Sequence, residues 1–193
     1  MTGTSLTAAY FDDIFRSDDD PWDLASSEYE AAKFADTNDA LADRRYANAL
    51  EIGCAHGVLT CHLAPICDSI LAVDISTQAL EKAQERLGDL AGVTLAQMAF
   101  PLETPVAEAF DLVVLSEVAY YWDLEDLDRA SKWLRDHVAL GGRVILVHYT
   151  GETDYPQSGD EAVEILWSNL ASDFDVELAE RREKYRLDLW KRC

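Results

Sequence analysis

The stretch NALEIGCAHG, residues 48–57, is a short apolar strand pattern that runs directly into a turn of small residues. A helical pattern carrying Leu59 and Leu63 follows the turn. Small residues between a strand and a helix let a ligand approach the backbone closely, as nucleotide sites require. The glycines stand at Gly53 and Gly57 with Ala55 between them, whereas a dinucleotide site prefers G-x-G-x-x-G. The spacing therefore predicts a nucleotide-type site and argues against NAD.

An acid follows this turn at the distance that a ribose-binding carboxylate requires. Asp74 ends the next apolar stretch, SILAVD, about 20 residues beyond the glycines. A carboxylate at that point can accept hydrogen bonds from both hydroxyls of a ribose. Two alternatives remain open: Asp74 could only cap the helix that follows, and Glu51 before the turn could only order the loop.

Strand and helix patterns alternate along most of the chain, and the fold class follows from their order. Strands are predicted over 48–53, 69–74, 93–97, 110–116 and 143–149, and a hairpin over 174–180 and 184–190. Helices are predicted over 27–42, 76–88, 124–140 and 160–170, the third ending at Gly141 and Gly142. This order predicts an α/β fold: one doubly wound seven-stranded sheet, mostly parallel, with an antiparallel C-terminal hairpin strand.

Length and charge limit the classes of protein and partner. The 193 residues, about half of them hydrophobic, fit a single domain over residues 1–193. The formal net charge of -21 repels phosphate backbones and anionic lipid, so we expect no nucleic-acid partner and no membrane partner. The N-terminus has no basic start, and the chain has no apolar run of about 18 residues. We therefore expect a soluble cytoplasmic protein without a signal peptide, a monomer or a homodimer, with reduced thiols.

Residues that could ligate a metal occur near the turn, but their spacing does not predict a site. Cys54 and His56 belong to the turn itself, and Cys61 and His62 are neighbours on a helix, about 100° apart. The acidic run at residues 18–20 lacks the alternating ligands and the glycine of a calcium loop, so we expect a solvated loop there.

Glu51 followed by G-x-A-x-G resembles the first motif of the class I S-adenosylmethionine-dependent methyltransferases, with Ala55 replacing the middle glycine. Further segments resemble one subgroup, the NodS-like methyltransferases, named for a nodulation N-methyltransferase of chito-oligosaccharide signals. The segments that carry this resemblance are Tyr10-Phe11, Asp20-Pro21-Trp22, Tyr29-Glu30, Lys33-Phe34, Phe110-Asp111-Leu112, Ser116-Glu117-Val118, Tyr120-Tyr121, Leu146-Val147-His148, Tyr155-Pro156 and Ser158-Gly159-Asp160-Glu161. They span nearly the whole chain, and the resemblance implies a Rossmann-like methyltransferase fold of bacterial origin.

The resemblance implies a cofactor, S-adenosyl-L-methionine, with S-adenosyl-L-homocysteine as its product. It also implies that residues 1–45 form a helical lid over the cofactor, with Lys33 near the cofactor carboxylate. The residues expected to bind the cofactor are Trp22, Tyr29, Lys33, Glu51, Gly53, Cys54, Ala55, Gly57, Asp74, Ile75, Met98, Ala99 and Ser116.

The sequence departs from the family pattern at three positions. Ala99 stands where many relatives carry an acid that binds the adenine amino group, so the backbone around Met98 and Ala99 would take that role. Tyr149-Thr150 replace a frequent Trp-Arg, which removes an anion clamp and disfavours an acidic acceptor. Ala55 keeps the turn small but restricts its backbone more than glycine does.

Methyl transfer from a sulfonium requires an aligned acceptor, exclusion of water and an unprotonated attacking atom. Glu117 follows the fourth strand and His148 closes the fifth, so we predict that both reach the reaction site. Glu117 would hold an ammonium group, His148 would take its proton, and Tyr120 and Tyr121 would shape the pocket. The alternatives are that Glu117 orders the lid and that His148 and the tyrosines are packing residues.

The sequence thus predicts a methyltransferase acting on nitrogen or oxygen of a small polar acceptor, with an amino sugar or saccharide favoured by the resemblance. Three alternatives remain: O-methylation of a small acid, a catalytically silent module that binds the cofactor or its product, and a nicotinamide oxidoreductase. The glycine spacing argues against the nicotinamide oxidoreductase.

Overall fold

The computed structural model describes residues 3–106 and 109–193, which fall into two compact units. We call residues 7–99 the N-terminal unit, and residues 3–6 with 100–193 the C-terminal unit. Each unit has its own strands and helices.

The N-terminal unit is built from a three-stranded parallel arrangement and four helices. Its elements are α1 (Ala8–Ser17), α2 (Glu28–Leu41), β1 (Ala49–Ile52), α3 (Val58–Leu63), β2 (Ile70–Asp74), α4 (Thr77–Leu87) and β3 (Val93–Gln97). In register, Ala49 lies opposite Ile70, and Ile70 lies opposite Val93. All four residues of β1 are buried, as expected for a parallel strand covered on both faces.

The described residues of the C-terminal unit contain four strands and two α-helices. Its elements are β4 (Phe110–Ser116), α5 (Leu124–His137), β5 (Val138–Tyr149), α6 (Gly159–Leu170), β6 (Phe174–Arg181) and β7 (Tyr185–Arg192). Strand β5 pairs parallel with β4 and antiparallel with β7, which in turn pairs antiparallel with β6. A capping box between Ser158 and Glu161 starts α6 immediately after the loop that follows β5.

The strand order is β3-β2-β1-β4-β5-β7-β6. The order first runs backward and then forward along the chain, which defines a doubly wound sheet with a topological switch point. The predicted fold class is confirmed: the described strands number seven, mostly parallel, with an antiparallel C-terminal hairpin.

The predicted boundary between the third helix and the fifth strand was wrong. We expected a helix over 124–140, but α5 ends at His137 and β5 begins at Val138, which pairs with Phe110. The register then shifts between Phe110 and Leu112. Gly141 has a φ of 73°, and a Cβ on Gly142 would lie 2.8 Å from the Ala139 carbonyl oxygen. The glycines therefore form an irregular part of the strand instead of a helix stop.

The sequence pattern did not predict the bounds of helix α1, although the resemblance implied a helical lid over residues 1–45. Its two buried residues, Phe11 and Phe15, lie four positions apart and so share one helix face. None of the helices in the described ranges is both long and apolar enough to cross a membrane. The single-domain organisation, and the lid over residues 1–45, stay predictions; residues 1 and 2 lie outside the described residues.

Candidate functional site

The turn after β1 is held in backbone conformations that favour glycine. Gly53, Ala55 and Gly57 have φ values of 76°, 48° and 79°. The N–H groups of Gly53 and Cys54 donate to the Val73 carbonyl oxygen at 2.8 and 3.0 Å, which fixes the turn to the end of β2. An L-residue in the left-handed region costs about 1 kcal/mol, so Ala55 keeps the shape of the turn at a steric cost that glycine would avoid.

Asp74 binds this turn directly. One carboxylate oxygen accepts from the Ala55 N–H at 2.9 Å and the other from the Ser76 N–H at 2.8 Å. The N-cap of α4 is the Ser76 side chain, which accepts from the Ala79 N–H, so capping does not account for Asp74. Burial raises the pKa of Asp74 to about 6, although the backbone hydrogen bonds oppose that rise. A buried carboxylate at a strand end is thus in place beside the turn.

Glu51 is a second buried acid close to the turn, with 2% of its surface exposed. The Thr60 hydroxyl donates to it at 2.6 Å, which links β1 to α3. Burial raises the pKa of Glu51 to about 8, so its carboxyl group is largely protonated at neutral pH. Burial also raises the pKa of the Cys54 thiol well above its usual value, so this thiol is not a nucleophile. The Thr60 contact supports the alternative in which Glu51 orders the local structure.

The predicted lid residues of α2 form a buried charged group. Lys33 is 1% exposed, and its ammonium nitrogen lies 2.7 and 2.9 Å from the two carboxylate oxygens of Glu30. The same nitrogen lies 5.3 Å from the centre of the Tyr29 ring. A ligand carboxylate at Lys33 would therefore share this cation with Glu30. Trp22, in the preceding loop, packs edge-on against Phe15 of α1, with ring centres 5.4 Å apart.

The segment after β3 also contacts the end of β2. The Met98 N–H donates to the Asp74 carbonyl oxygen at 2.9 Å, which brings Met98 and Ala99 beside Asp74 and Ile75. The structure therefore gathers Glu51, the turn, Asp74 and Met98 at one end of the N-terminal unit. Ser116, also predicted to bind the cofactor, is the last residue of β4 in the C-terminal unit.

Glu117 organises the predicted acceptor residues of the C-terminal unit. One of its carboxylate oxygens accepts from the Tyr149 N–H at 2.8 Å and from the Tyr120 hydroxyl at 2.7 Å. Its φ is 55°, an uncommon and costly conformation for a non-glycine residue. Strain of this kind persists only where the surroundings fix it, and it occurs preferentially at functional sites.

Aromatic rings surround this carboxylate. Tyr120 stacks on Tyr155 with ring centres 5.3 Å apart, and Tyr121 meets Tyr155 edge-on at 4.7 Å. Burial raises the pKa of the Tyr120 and Tyr121 hydroxyls, reinforced by Glu117 at Tyr120 and by Tyr155 at Tyr121, so both stay protonated. Tyr155 lies in the loop after β5 and was not predicted as a site residue, although loop residues held by a rigid scaffold often bind substrate.

His148 is completely buried, and its contacts favour a positioning role. Its Nε2 accepts from the Ala119 N–H at 3.1 Å, so a neutral ring carries its proton on Nδ1. Taking a proton at Nε2 would require that hydrogen bond to break. The ring also packs edge-on against Tyr120 at 5.4 Å. His148 thereby fixes the short turn that carries both tyrosines, and its predicted role as a base stays a prediction.

No group of three or more His, Cys, Asp or Glu side chains that could hold a metal ion occurs within residues 3–106 and 109–193. Cys54 and Cys67 are buried free thiols, and Cys61 and Cys193 are exposed ones.

Comparison with protein families provides the identification. The family model for Nodulation protein S (NodS) matches residues 12–147. The chain belongs to the NodS family. It is 36% identical over 126 residues to Nodulation protein S of Bradyrhizobium diazoefficiens, a match that covers 63% of this chain and 57% of that protein. The corresponding protein of Rhizobium tropici is 33% identical over 129 residues, covering 66% of this chain and 54% of the relative. The matches thus span little more than half the length of these curated relatives.

A solved structure supports the fold of this NodS-family chain. The crystal structure of the N-methyltransferase NodS from Bradyrhizobium japonicum WM9, in complex with S-adenosyl-L-homocysteine, superimposes with a TM-score of 0.80. The superposition covers 96% of this chain and 97% of that one, at 22% identity. The family resemblance inferred from sequence is confirmed, and so is the class I methyltransferase fold.

Proposed function

We propose that this chain is an S-adenosylmethionine-dependent N-methyltransferase whose acceptor is a small polar amine, an amino sugar or a related saccharide. The observation that carries the proposal is the Asp74 carboxylate, buried at the tip of β2 and bonded to the turn at Ala55. Family membership adds to it, because the Bradyrhizobium japonicum relative is described as an N-methyltransferase in complex with S-adenosyl-L-homocysteine.

The residues around the turn fit the nucleoside part of this cofactor. Asp74 offers carboxylate oxygens to ribose hydroxyls, and such hydrogen bonds would favour its charged form. The turn from Gly53 to Gly57 presents backbone with little side-chain bulk, and Met98 and Ala99 border the same strand end. The predicted contacts of Trp22, Tyr29, Lys33, Cys54, Ile75 and Ser116 belong to this proposal. When bound, S-adenosylmethionine would supply the electrophilic methyl group.

The acceptor residues fit a cationic or polar molecule better than an acid. Glu117 contributes a negative charge, and Tyr120, Tyr121 and Tyr155 contribute aromatic faces. A carboxylate and aromatic faces both attract an ammonium group, and rings with a polar hydroxyl also suit a saccharide. A small carboxylic acid would be repelled by Glu117, which disfavours the O-methylation alternative.

Glu117 is the group that we expect to receive the amine proton before transfer. Its carboxylate is held by the Tyr149 N–H and the Tyr120 hydroxyl, which fix its orientation. His148, through the Ala119 N–H, holds the neighbouring turn in place. We therefore assign Glu117 as the group that binds and deprotonates the acceptor, His148 as a positioning residue, and the tyrosines as the pocket wall.

Calorimetric titration with S-adenosyl-L-homocysteine, run beside NADH, tests the cofactor assignment. We expect micromolar binding, about -8 kcal/mol, for the first ligand and no heat for the second. Binding of NADH alone would overturn the assignment in favour of an oxidoreductase. Cofactor-dependent labelling of glucosamine oligosaccharides, with benzoate as the competing acid, then tests the acceptor. Labelling of benzoate alone would favour the acid alternative, and tight binding without labelling of any acceptor would favour the silent module.

A further inference from the structure

The segment from α1 to the Trp22 loop is fastened to the rest of the N-terminal unit by polar contacts. The Ser76 hydroxyl donates to Asp12 at 2.5 Å, at the first turn of α4. The Lys82 ammonium group donates to the Phe15 carbonyl oxygen at 2.8 Å and to the Asp19 carboxylate at 2.7 Å. Both contacts join the segment to α4, while a further one joins it to the turn.

His56 makes that further contact from inside the turn. Its side chain is 4% exposed, and its Nε2 lies 3.1 Å from a carboxylate oxygen of Asp20. The backbone carbonyl oxygen of His56 accepts from the Arg86 guanidinium at 2.9 Å, which fixes the histidine to α4. Among the residues that the structure describes, neither ring nitrogen has a partner in hydrogen-bond geometry, so the short Nε2–Asp20 distance is the polar contact of this ring.

Asp20 in turn organises the loop that carries Trp22. Its two carboxylate oxygens accept from the N–H groups of Leu24 and Ala25 at 2.7 and 3.0 Å. Its carbonyl oxygen accepts from the N–H of Asp23, which has a φ of 54°. A single carboxylate therefore ties the loop to itself and to His56. The acidic run was expected to be a solvated loop, and Asp20 departs from that expectation because its side chain is only 24% exposed.

We propose that His56 is a positioning residue that holds the Asp20–Ala25 loop, and with it Trp22, against the cofactor turn. The inference rests on the proposed function, because it takes the turn between Gly53 and Gly57 as the cofactor site. His56 belongs to the turn and Asp20 to the loop, so the contact couples the two. Loss of the contact between His56 and Asp20 releases the loop, and formation of this contact retains the bound nucleoside.

The test replaces His56 with Phe, which keeps a ring beside Phe15, and with Gln, whose amide nitrogen reaches the position of Nε2. Hydrogen exchange of the Leu24 and Ala25 amides is measured first without ligand. We expect the Phe variant to exchange at these amides about tenfold faster than the wild type, while β1 and α3 are unchanged. The dissociation rate of S-adenosyl-L-homocysteine should rise by a similar factor, and the Gln variant should restore most of both. His62→Phe, the same change at an exposed histidine of α3, is the control.

A double-mutant cycle with Asp20→Asn separates positioning from general destabilisation. If the two side chains act as one contact, the double variant loses no more affinity than the worse single variant. Additive losses, or unchanged exchange at Leu24 and Ala25, would overturn the proposal. Failure of the wild type to bind S-adenosyl-L-homocysteine would instead contradict the proposed function, because the exchange measurement without ligand reports the contact independently.

Discussion

The proposed cofactor site and the proposed acceptor site are built in different ways. The turn after β1 is made of backbone: three residues with positive φ, Gly53, Ala55 and Gly57, and one carboxylate, Asp74, that accepts from the Ala55 N–H. The acceptor cluster is made of side chains from separate segments that meet around Glu117. The cofactor site depends on which residues can adopt a positive φ. The acceptor site depends on which side chains the fold brings together.

This difference has a consequence for how the two sites tolerate change. A backbone site binds the common part of a nucleoside, so its residues are restricted mainly by conformation and by hydrogen bonding. A side-chain site can change its ligand by exchange of single residues. We expect substitutions in the turn to alter cofactor affinity and substitutions at Glu117 to alter turnover.

Asp74→Asn should produce the largest effect of these substitutions, a loss of cofactor affinity. The amide keeps one oxygen for the backbone N–H groups but loses the charge and one acceptor for the ribose. Hydrogen bonds to charged groups contribute about 1.5–3 kcal/mol each, and the variant weakens the contacts to both ribose hydroxyls, so affinity for S-adenosyl-L-homocysteine should fall by about 100-fold or more. Calorimetry measures the loss, and Asp68→Asn, at an exposed carboxylate paired with Arg45, is the control. A variant that binds as tightly as the wild type would remove Asp74 from the site.

Glu117→Gln should impair the proposed acceptor site and leave the proposed cofactor site intact. Glutamine can still accept from the Tyr149 N–H, but it cannot take a proton from the acceptor. We expect turnover to fall about 100-fold, while affinity for S-adenosyl-L-homocysteine changes less than twofold.

His148→Ala should also reduce turnover more than affinity, because it releases the turn at Ala119. Glu125→Gln on the exposed side of α5 should leave both quantities unchanged. Equal losses of turnover and affinity in the Glu117 variant would show that the two sites are not separable in this way.

The backbone site could be predicted from the sequence because its requirements are local. Positive φ selects glycine at Gly53 and Gly57, and the strand pattern places Asp74 at the following strand end. The Lys33–Glu30 pair could also have been found, because residues three apart share a helix face.

The contacts of the side-chain site could not be predicted, because they join residues far apart in the chain. The hydrogen bond between Glu117 and the Tyr149 N–H spans 32 positions, and no local sequence pattern predicts it. The Asp20 contact with His56 is of the same kind. The end of α5 was missed for another reason: Gly141 and Gly142 suit a helix stop equally well, and only the pairing of Val138 with Phe110 decides between the two.

Glu51→Gln should change how stability depends on pH. The folded protein retains the Glu51 proton up to a pKa of about 8, whereas the unfolded chain releases it near 4.5. Between these values the native state binds more protons, so the free energy of unfolding decreases as pH rises, by at most about 1.4 kcal/mol per unit. Glutamine mimics the protonated acid and keeps the Thr60 hydrogen bond.

Urea unfolding at pH 6.5 and 8 measures this dependence above the pKa of Asp74, which is about 6. The wild type should lose about 1–2 kcal/mol more than the glutamine variant over this interval. Glu85→Gln, at an exposed position of α4, should behave as the wild type does. Parallel pH profiles for all three proteins would mean that Glu51 is already ionised, and that the backbone site is more highly charged than its burial indicates.

Ala55→Gly should have the smallest effect of these substitutions. It should stabilise the protein, whereas the others cause a loss. At a φ of 48°, removal of the Cβ relieves a clash worth about 1 kcal/mol, although glycine also gains freedom in the unfolded chain. We expect the free energy of unfolding to rise by a few tenths to about 1 kcal/mol, and cofactor affinity to stay equal or improve. The same substitution at Ala31, an exposed position of α2, should destabilise by about 1 kcal/mol because glycine is a poor helix former. If the same substitution stabilises the protein at Ala55 and destabilises it at Ala31, backbone conformation determines which residue suits the turn. Destabilisation at both positions would show that the methyl group of Ala55 contributes packing that outweighs the strain.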